Sequence, residues 1–218
     1  MQMDDPFKPL LRSLPDYFNS LSLSDGIIQS DDKEFRIHKL VLCAQSKYFS
    51  KAFTGDWKES ADGAIRLEGD DVSAVEAMPQ FMYTVDYDAS GSAKNSASPM
   101  VFNVKVYSIA DKYDVPALKS QARQKFETTV ETCWNMDDFP DAVAEVYNST
   151  LSIDRGLRNV LVDAACKHIS ELLSKQRFRD ILGETVGFAS DIAQLLAKGR
   201  KKYQCPSCKT WQTLINQD

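Results

Sequence analysis

Two cysteines near the C-terminal end have the spacing of a metal-binding pair. Cys205 and Cys208 are separated by two residues, and two thiolates at this spacing can bind one tetrahedral zinc ion from the same turn. A closed structural site needs four ligands, and the sequence contains no second pair of this kind. A second copy of the chain could supply the other two ligands. The alternative is a turn with two free thiols, so zinc is a suggested cofactor at this point and not an established one.

A basic run, Lys198-Gly199-Arg200-Lys201-Lys202, precedes the cysteine pair. Four charges give only weak, salt-sensitive contact with phosphates. The whole chain carries 26 basic and 31 acidic residues, a net charge of -5, so its overall field repels nucleic acid and anionic membranes. We therefore expect the run to be a solvated tail and nucleic acid not to be a partner.

The residues available for catalysis are few. The chain has two histidines and lacks a glycine-rich phosphate loop, a Gly-x-Ser-x-Gly motif and a His-Glu-x-x-His motif. His38 follows a predicted strand and precedes a predicted helix, where an imidazole commonly binds backbone groups. His168 lies on the apolar face of its predicted helix and is expected in the core or at its rim. The sequence predicts no catalytic residue and no enzyme.

The segment 24–60 contains two successive periodicities. Ile27 and Ile28 precede a polar turn, and Phe35 and Ile37 alternate with Arg36 after it, which predicts a β-hairpin with one buried face. After the hairpin the apolar spacing becomes helical. The first short helix carries Leu40, Val41 and Ala44, and the second, capped by Ser46, carries Tyr48, Phe49, Ala52 and Phe53.

Several motifs follow one another here in the order found in a known family. They are Asp25 before a short strand, then residues 34–42, 46–49, 53–55 and 59–60, and later 65–67, 72–82, 83–87, 105–115 and 118–119. This ordered set resembles the BTB/POZ domain, in the single-domain form common in filamentous fungi. A glycine usually stands where this chain has Val85, so we expect the turn at that point to differ.

The resemblance implies the fold and a homodimer. It implies an α+β BTB/POZ fold, a small mixed sheet with a cluster of helices, whose N-terminal helix packs across a two-fold axis. The dimer residues it implies are Leu11, Leu14, Phe18, Asp25 and Lys39, the last two paired near a pocket at the interface. Two alternatives stay open: the apolar stripe of residues 7–23 covers the protomer's own core, and Asp25 and Lys39 form an ordinary exposed ion pair.

The resemblance also implies a partner surface. Trp57-Lys58-Glu59 fits the apolar-x-Glu pattern of BTB domains that bind a cullin scaffold. An exposed aromatic residue beside a charge suits a protein interface. The residues implied to face such a partner are Tyr48, Phe49, Phe53, Trp57 and Glu59. The alternative for this motif is a role in local folding.

The sequence divides into four parts. Residues 1–23 form an N-terminal helical segment interrupted by Pro15, and residues 24–132 form the BTB/POZ domain, with a flexible loop insertion at 88–99. Residues 133–198 form an all-helical C-terminal extension, and residues 199–218 form the basic tail with its CxxC motif. Apolar positions in the extension recur from Phe139 to Tyr147, from Leu157 to Leu172 and from Val186 to Leu196, with Asp154 as an N-cap and Gly199 as a stop.

The sequence also contains signs of the protein's environment. It has no apolar run of about 18 residues, and its N-terminus lacks the basic start and apolar block of a signal peptide. Its cysteines number five, and Cys43, Cys133 and Cys166 have no disulfide-framework spacing. We expect a soluble intracellular protein without disulfides, in the cytoplasm, the nucleus or both.

Two functional hypotheses follow. The first is a homodimeric protein-protein interaction module that performs no chemistry, and more specifically a substrate adaptor for a cullin-type ubiquitin ligase. Its partners are a second copy of itself, a cullin scaffold and an unknown protein substrate. The second is a chromatin- or transcription-associated BTB factor whose C-terminal knuckle binds zinc.

Overall fold

The chain forms two compact units, Met1–Thr129 and Val130–Asp218. The computed structural model describes residues 8–55, 62–89, 98–199, 202–204 and 211–213. Among the described residues, unit 1 contains a mixed sheet and several helices, and unit 2 contains helices and two short paired strands. The predicted boundary near Thr132 falls inside a helix that begins in unit 1 and ends at Cys133.

The elements of unit 1 are short as far as the third strand, and the three helices after that strand are longer. In chain order they are α1 (Lys8–Ser13), a 3-10 helix (Leu14–Tyr17), β1 (Gly26–Ser30), β2 (Lys33–Ile37), α2 (Lys39–Cys43), α3 (Lys47–Thr54), β3 (Ala64–Arg66), α4 (Val72–Thr84), α5 (Pro99–Lys112) and α6 (Pro116–Cys133). Pro15 lies at the start of the 3-10 helix, where its fixed φ and missing N–H are tolerated. The predicted interruption at this proline is confirmed.

The described strands of unit 1 form a three-stranded mixed sheet in the order β2-β1-β3. Strand β1 pairs antiparallel with β2, with Ile28 opposite Phe35, and parallel with β3, with Ile28 opposite Ile65. Ile28, Phe35, Ile37 and Ile65 are all buried. The predicted hairpin and its buried face are therefore confirmed.

Helix α4 begins and ends with well-defined caps. At its start the Asp71 carboxylate accepts hydrogen bonds from the backbone N–H groups of Ser73 and Ala74, each at 3.1 Å. At its end Val85 adopts the left-handed conformation, with φ 60° and ψ 13°. This is the conformation that a C-terminal glycine normally supplies. Val85 therefore adopts this conformation without a glycine, at the steric cost of a β-branched residue with positive φ.

The four-residue repeat predicted for α6 is confirmed. Leu118, Ala122, Phe126 and Val130 are all at most 1% exposed, and the helix begins at Pro116, as a proline at the first helical position favours. The loop insertion predicted at 88–99 is only partly described, since residues 90–97 lie outside the described ranges. Helix α5 begins at Pro99 after Ser98, whose hydroxyl accepts from the Val101 N–H at 3.2 Å.

Unit 2 contains the helical extension that the sequence predicts. Its helices are α7 (Phe139–Ser149), α8 (Gly156–Lys167), α9 (Ile169–Ser174), α10 (Gln176–Glu184) and α11 (Val186–Gly199). Phe139, Phe178 and Phe188 are fully buried, and their rings follow one another at centroid distances of 6.3 and 6.1 Å. After α11, strands β4 (Lys202–Gln204) and β5 (Trp211–Thr213) pair antiparallel.

Several details of the extension differ from the sequence prediction. The helix expected to continue to Leu172 breaks at His168, and α10 was not anticipated. Val186 is 73% exposed, whereas Phe188 is buried in its place. Asp154 does not cap α8 directly: Arg155 holds the N-cap position, and the Asp154 carboxylate accepts from the Gly156 N–H at 3.0 Å.

None of the helices in the described part of the chain is long and apolar enough to cross a lipid bilayer.

Candidate dimer and partner surface

The N-terminal segment is joined to α2 and α4 through one histidine. His38 Nε2 lies 2.9 Å from the backbone oxygen of Ser22, and its Nδ1 lies 2.8 Å from the hydroxyl of Tyr83. Because a carbonyl oxygen only accepts, Nε2 carries the proton and Nδ1 accepts from the Tyr83 hydroxyl. Burial raises the pKa of Tyr83, so this hydroxyl keeps its proton. The structural role predicted for His38 is therefore the one observed.

Aromatic contacts strengthen the same junction. Tyr17 meets the His38 ring edge-on at 5.8 Å, and Phe18 packs against the Tyr83 ring at 5.5 Å. Leu14 and Phe18 are half-buried, whereas Leu11 is 45% exposed. The apolar stripe of this segment thus covers part of the protomer's own core, as the alternative interpretation held, and still leaves apolar surface uncovered.

Exposed leucines surround this junction. Leu21, Leu23 and Leu40 are 75%, 79% and 79% exposed. The contact between Ser22 and His38 places the two leucines that flank Ser22 beside the start of α2, where Leu40 lies. The sequence analysis grouped Leu40 with Val41 and Ala44 by their helical spacing, and in α2 it is Leu42 that is buried. Leu40 was missed as a surface residue because helical spacing alone did not show which side of α2 faces the core.

Asp25 and Lys39 lie together, but not as an ion pair. The Asp25 carboxylate accepts a hydrogen bond from the backbone N–H of Lys39 at 2.7 Å, at the first turn of α2. The Lys39 ammonium lies 5.3 Å from the centroid of the Phe53 ring, within cation–π range. Asp25 therefore satisfies the helix terminus, and Lys39 covers an aromatic ring.

Two glycines make room for Lys39. A Cβ added at Gly26 would lie 2.6 Å from Cδ1 of Ile37 and 3.2 Å from Cγ of Lys39. At Gly63, whose φ is +66°, an added Cβ would lie 3.4 Å from the Lys39 ammonium nitrogen. The backbone of β1 and the residues before β3 thus approach the Lys39 side chain closely. This close approach restricts the position of the Lys39 side chain.

Helix α3 carries the residues predicted to face a partner. Ser46 caps it as predicted: its hydroxyl accepts from the Phe49 N–H at 3.1 Å and donates to the Tyr113 carbonyl at 2.6 Å. Phe49 and Phe53 are 0% and 6% exposed, and Phe49 stacks on Tyr113. These two rings support α3 from within the core, which corrects the interpretation of both as surface residues.

Tyr48 is the member of this set that reaches the surface within the described residues. It is 39% exposed and meets the rings of Phe49 and Tyr113 edge-on, at 5.3 and 5.0 Å. The Tyr113 hydroxyl donates to Asp70, and Lys112 binds the same carboxylate at 2.8 Å. Tyr48 therefore rests on a rigid base. Trp57 and Glu59 lie outside the described residues, so their predicted role stays a prediction.

The predicted metal ligands, Cys205 and Cys208, also lie outside the described residues. Among the residues that are described, no three histidine, cysteine or acidic side chains cluster as metal ligands. Burial raises the pKa of Cys43 and of Cys166, which favours the thiol over the metal-binding thiolate. His168 is half-buried and stacks on Trp134 at 3.7 Å, in keeping with a position at the rim of the core.

Comparison with known families assigns this architecture. The family model described as BTB/POZ domain matches residues 14–130. The chain belongs to the BTB/POZ domain family. Its BTB/POZ domain therefore includes the 3-10 helix, the mixed sheet and helices α2 to α5, together with most of α6.

The BTB/POZ chain is similar to parts of longer proteins. It is 32% identical over 155 residues to mouse Kelch repeat and BTB domain-containing protein 4, a match that covers 71% of this chain and 26% of the relative. It is 26% identical over 174 residues to rat Kelch-like protein 21, covering 79% of this chain and 26% of the relative. The chain thus spans about a quarter of the length of these relatives.

Solved structures of BTB domains match as well. The BTB domain of human gigaxonin aligns with 20% identity and a TM-score of 0.43, over 57% of this chain and 95% of that domain. The BTB domain of zebrafish PATZ1 aligns with 15% identity and a TM-score of 0.45, over 59% of this chain and 97% of that domain.

Proposed function

We propose that this BTB/POZ protein is a homodimeric, non-enzymatic interaction module that acts as a substrate adaptor for a cullin-type ubiquitin ligase. The observation that carries the proposal is the set of exposed leucines around the His38 junction. Leu21, Leu23 and Leu40 together leave a large apolar area in water. Surface of this kind, on a well-ordered framework, is typical of a protein interaction site.

The energetics favour a second copy as the first partner. Burying one leucine side chain completely contributes about 1.5–3 kcal/mol. A two-fold interface uses the same patch on both copies, so the free energy gained by burying each leucine is gained once in each copy. The family membership of the chain and the position of its N-terminal segment support this choice of partner.

The dimer is tested by changing the leucines to a charged residue. The double variant Leu23→Asp, Leu40→Asp should be monomeric by light scattering at concentrations where the wild-type chain is a dimer. Leu23 has a positive φ of 60°, which aspartate tolerates better than leucine, so the fold should persist in circular dichroism.

A matched control exists in unit 2. Leu151 and Ile153 are 73% and 83% exposed, and the double variant Leu151→Asp, Ile153→Asp should remain dimeric. A wild-type chain that is monomeric at high concentration, or two double variants that dissociate equally, would contradict the leucine interface.

The cullin scaffold is the proposed second partner. Tyr48 offers a partly exposed ring on a rigid base, and the Trp57-Lys58-Glu59 motif follows α3 in sequence. The test is capture of a purified cullin N-terminal domain by the wild-type chain, with loss of binding in Tyr48→Ala, Trp57→Ala and Glu59→Lys. Glu68→Lys changes a glutamate that is exposed in the structure and should bind normally. Equal binding by all of these variants would count against the adaptor role.

The absence of an enzymatic role is part of the proposal. His38 uses both ring nitrogens to hold the N-terminal segment and α4 together, and His168 lies flat against Trp134. Both imidazoles therefore have structural uses. A protein substrate would dock on the surface of the BTB/POZ domain or of the helical extension, and the adaptor role places the protein in the cytoplasm, the nucleus or both.

A further inference from the structure

A groove lies between α7 and α10 of the helical extension. Two cavities, of about 230 and 260 Å³, follow these helices, and both are lined by Pro140 and Arg177. Because they share these residues, the two cavities form one continuous depression. The rings of Phe139 and Phe178 join the two helices at a centroid distance of 6.3 Å, and both rings are fully buried. The walls of the groove are therefore held in place by the core.

Arg177 lies between the two cavities and binds both walls. Its Nη1 donates to the backbone oxygen of Asp137 and its Nη2 to the Asp141 carboxylate, each at 2.8 Å. The guanidinium thus joins the first turn of α10 to the turn before α7 and to the first turn of α7. Because it is paired with Asp141, its positive charge is largely neutralised.

The cavity of about 230 Å³ offers apolar contacts. Leu172 and Phe178 contribute buried side chains to its lining, and Met136 contributes one that is 56% exposed. Lys175 also lines this cavity and donates its ammonium to the backbone oxygen of Asn135. Methionine is flexible and adapts its shape to varied apolar partners. This end of the groove therefore suits an apolar side chain.

The cavity of about 260 Å³ has an apolar floor and an acidic rim. Ala144 is half-buried and Ile181 is buried, whereas Asp180 and Glu184 are exposed. The two acidic residues are four positions apart on α10, so their side chains share one face of the helix. Asp180 accepts a hydrogen bond from the Gln176 amide at 2.7 Å, and a carboxylate can accept several more.

A lysine or arginine side chain matches this second cavity. Its apolar stem can cover the floor while its charged head reaches the carboxylates at the rim. Three acidic residues and one basic residue line the cavity, which gives it a charge of about -2 at neutral pH. The net charge of the whole chain, -5, also attracts a basic partner.

We propose that the groove between α7 and α10 binds a segment of a partner protein in which an apolar side chain lies next to lysine or arginine. The apolar side chain occupies the cavity beside Met136, and the basic one occupies the cavity beside Asp180 and Glu184. The inference rests on the adaptor role proposed above in one respect, namely that the partner is then the protein substrate.

The test is fluorescence anisotropy with the full-length chain and labelled synthetic peptides. We expect binding of the peptide GSLKKKSG, weaker binding of GSSKKKSG, which lacks the leucine, and none of GSLEEESG, which reverses the charges. Affinity for GSLKKKSG should fall as the salt concentration rises from about 0.05 M to about 0.5 M. Binding of GSLEEESG as tight as that of GSLKKKSG, or no saturable binding of GSLKKKSG at low salt, would overturn the proposal.

Variants of the two cavities locate the binding. The double variant Asp180→Lys, Glu184→Lys should weaken GSLKKKSG by about tenfold or more, because two attractive charges become repulsive. Met136→Asp should lower the affinity for GSLKKKSG toward that for GSSKKKSG. The matched control Asp163→Lys, Glu127→Lys makes the same change in net charge at exposed residues outside the groove and should bind normally. Circular dichroism checks that each variant folds, and equal weakening by both double variants would overturn the groove as the site.

Binding of a cullin N-terminal domain separates this proposal from the adaptor role. Peptide binding without cullin binding supports the groove and overturns the adaptor role, whereas cullin binding without peptide binding overturns the groove alone. Light scattering tests a second copy of the chain as the occupant. A wild-type dimer that binds no peptide and dissociates in Asp180→Lys, Glu184→Lys would assign the groove to the second copy and overturn the proposal.

Discussion

The hydroxyl of Tyr83 lies 2.7 Å from the backbone nitrogen of His38 and 2.8 Å from its Nδ1. The hydroxyl accepts from the backbone N–H and donates to the ring, and Tyr83 itself is fully buried in the core. One side chain of α4 thereby positions the residue that ends the hairpin and starts α2. The other ring nitrogen of His38 then binds the N-terminal segment at Ser22.

Tyr83→Phe should destabilise unit 1. The change leaves the His38 N–H and Nδ1 without their shared partner, and an unsatisfied polar group of this kind costs about 1–3 kcal/mol. Urea denaturation should show a lower midpoint with an unchanged slope. Tyr17→Phe keeps the edge contact with the His38 ring and is the control, since Tyr17 is 38% exposed. Equal stability of both variants and the wild type would contradict the role of this hydroxyl.

Asp71 should contribute to stability mainly as the cap of α4. It accepts from two backbone N–H groups and from the Lys105 ammonium at 2.7 Å. Asp71→Ala should lower the free energy of unfolding by about 1 kcal/mol or more. Asp71→Asn preserves the cap and removes only the ion pair, which should cost less. Thermal unfolding of the two variants measures the difference, and an equal loss in both would mean that the ion pair dominates.

The charge of Asp71 should also make the fold sensitive to acid. Burial alone would raise its pKa, but the hydrogen bonds from Lys105, Ala74 and Ser73 outweigh burial and lower the pKa below the ordinary 3.8. A lowered folded-state pKa stabilises the fold above the unfolded-state value, and this stabilisation is lost as the pH falls through the folded-state value. We therefore expect the difference in the free energy of unfolding between wild type and Asp71→Asn to be smaller at about pH 3 than at about pH 6, because the wild-type chain loses more stability. Denaturation curves at the two pH values measure this difference.

Val85→Gly should stabilise the protein. Val85 ends α4 with φ 60° and is 55% exposed, and the left-handed conformation costs a residue with a Cβ about 1–2 kcal/mol. Glycine removes this cost, partly offset by its greater freedom in the unfolded chain. We expect a net gain of about 0.5–1 kcal/mol in chemical denaturation. Val85→Ala keeps a Cβ without the branch and should fall between the two, so a glycine variant less stable than the alanine variant would argue against strain.

Local rules in the sequence predicted much of the fold. Alternation around Phe35 and Ile37, the cap at Ser46 and the four-residue repeat ending at Val130 each depend on neighbouring residues alone, and each is found. The ordered motifs also identified the BTB/POZ family.

The candidate surface was harder to predict. Lys39 was expected to pair with Asp25, but a carboxylate near an N-terminal helix turn has a backbone N–H available as well.

The amino-acid sequence by itself determined which residues share a face of a helix or strand, because that depends only on the repeat of each element. The tertiary structure alone decided which face meets the core. In five-residue α2 a single turn shows no stripe, and packing against its neighbours buried Leu42 and exposed Leu40. In α3, packing buried Phe49 and left Tyr48 at the surface. Burial depends on contacts between residues that are distant in the chain, which the local sequence does not show.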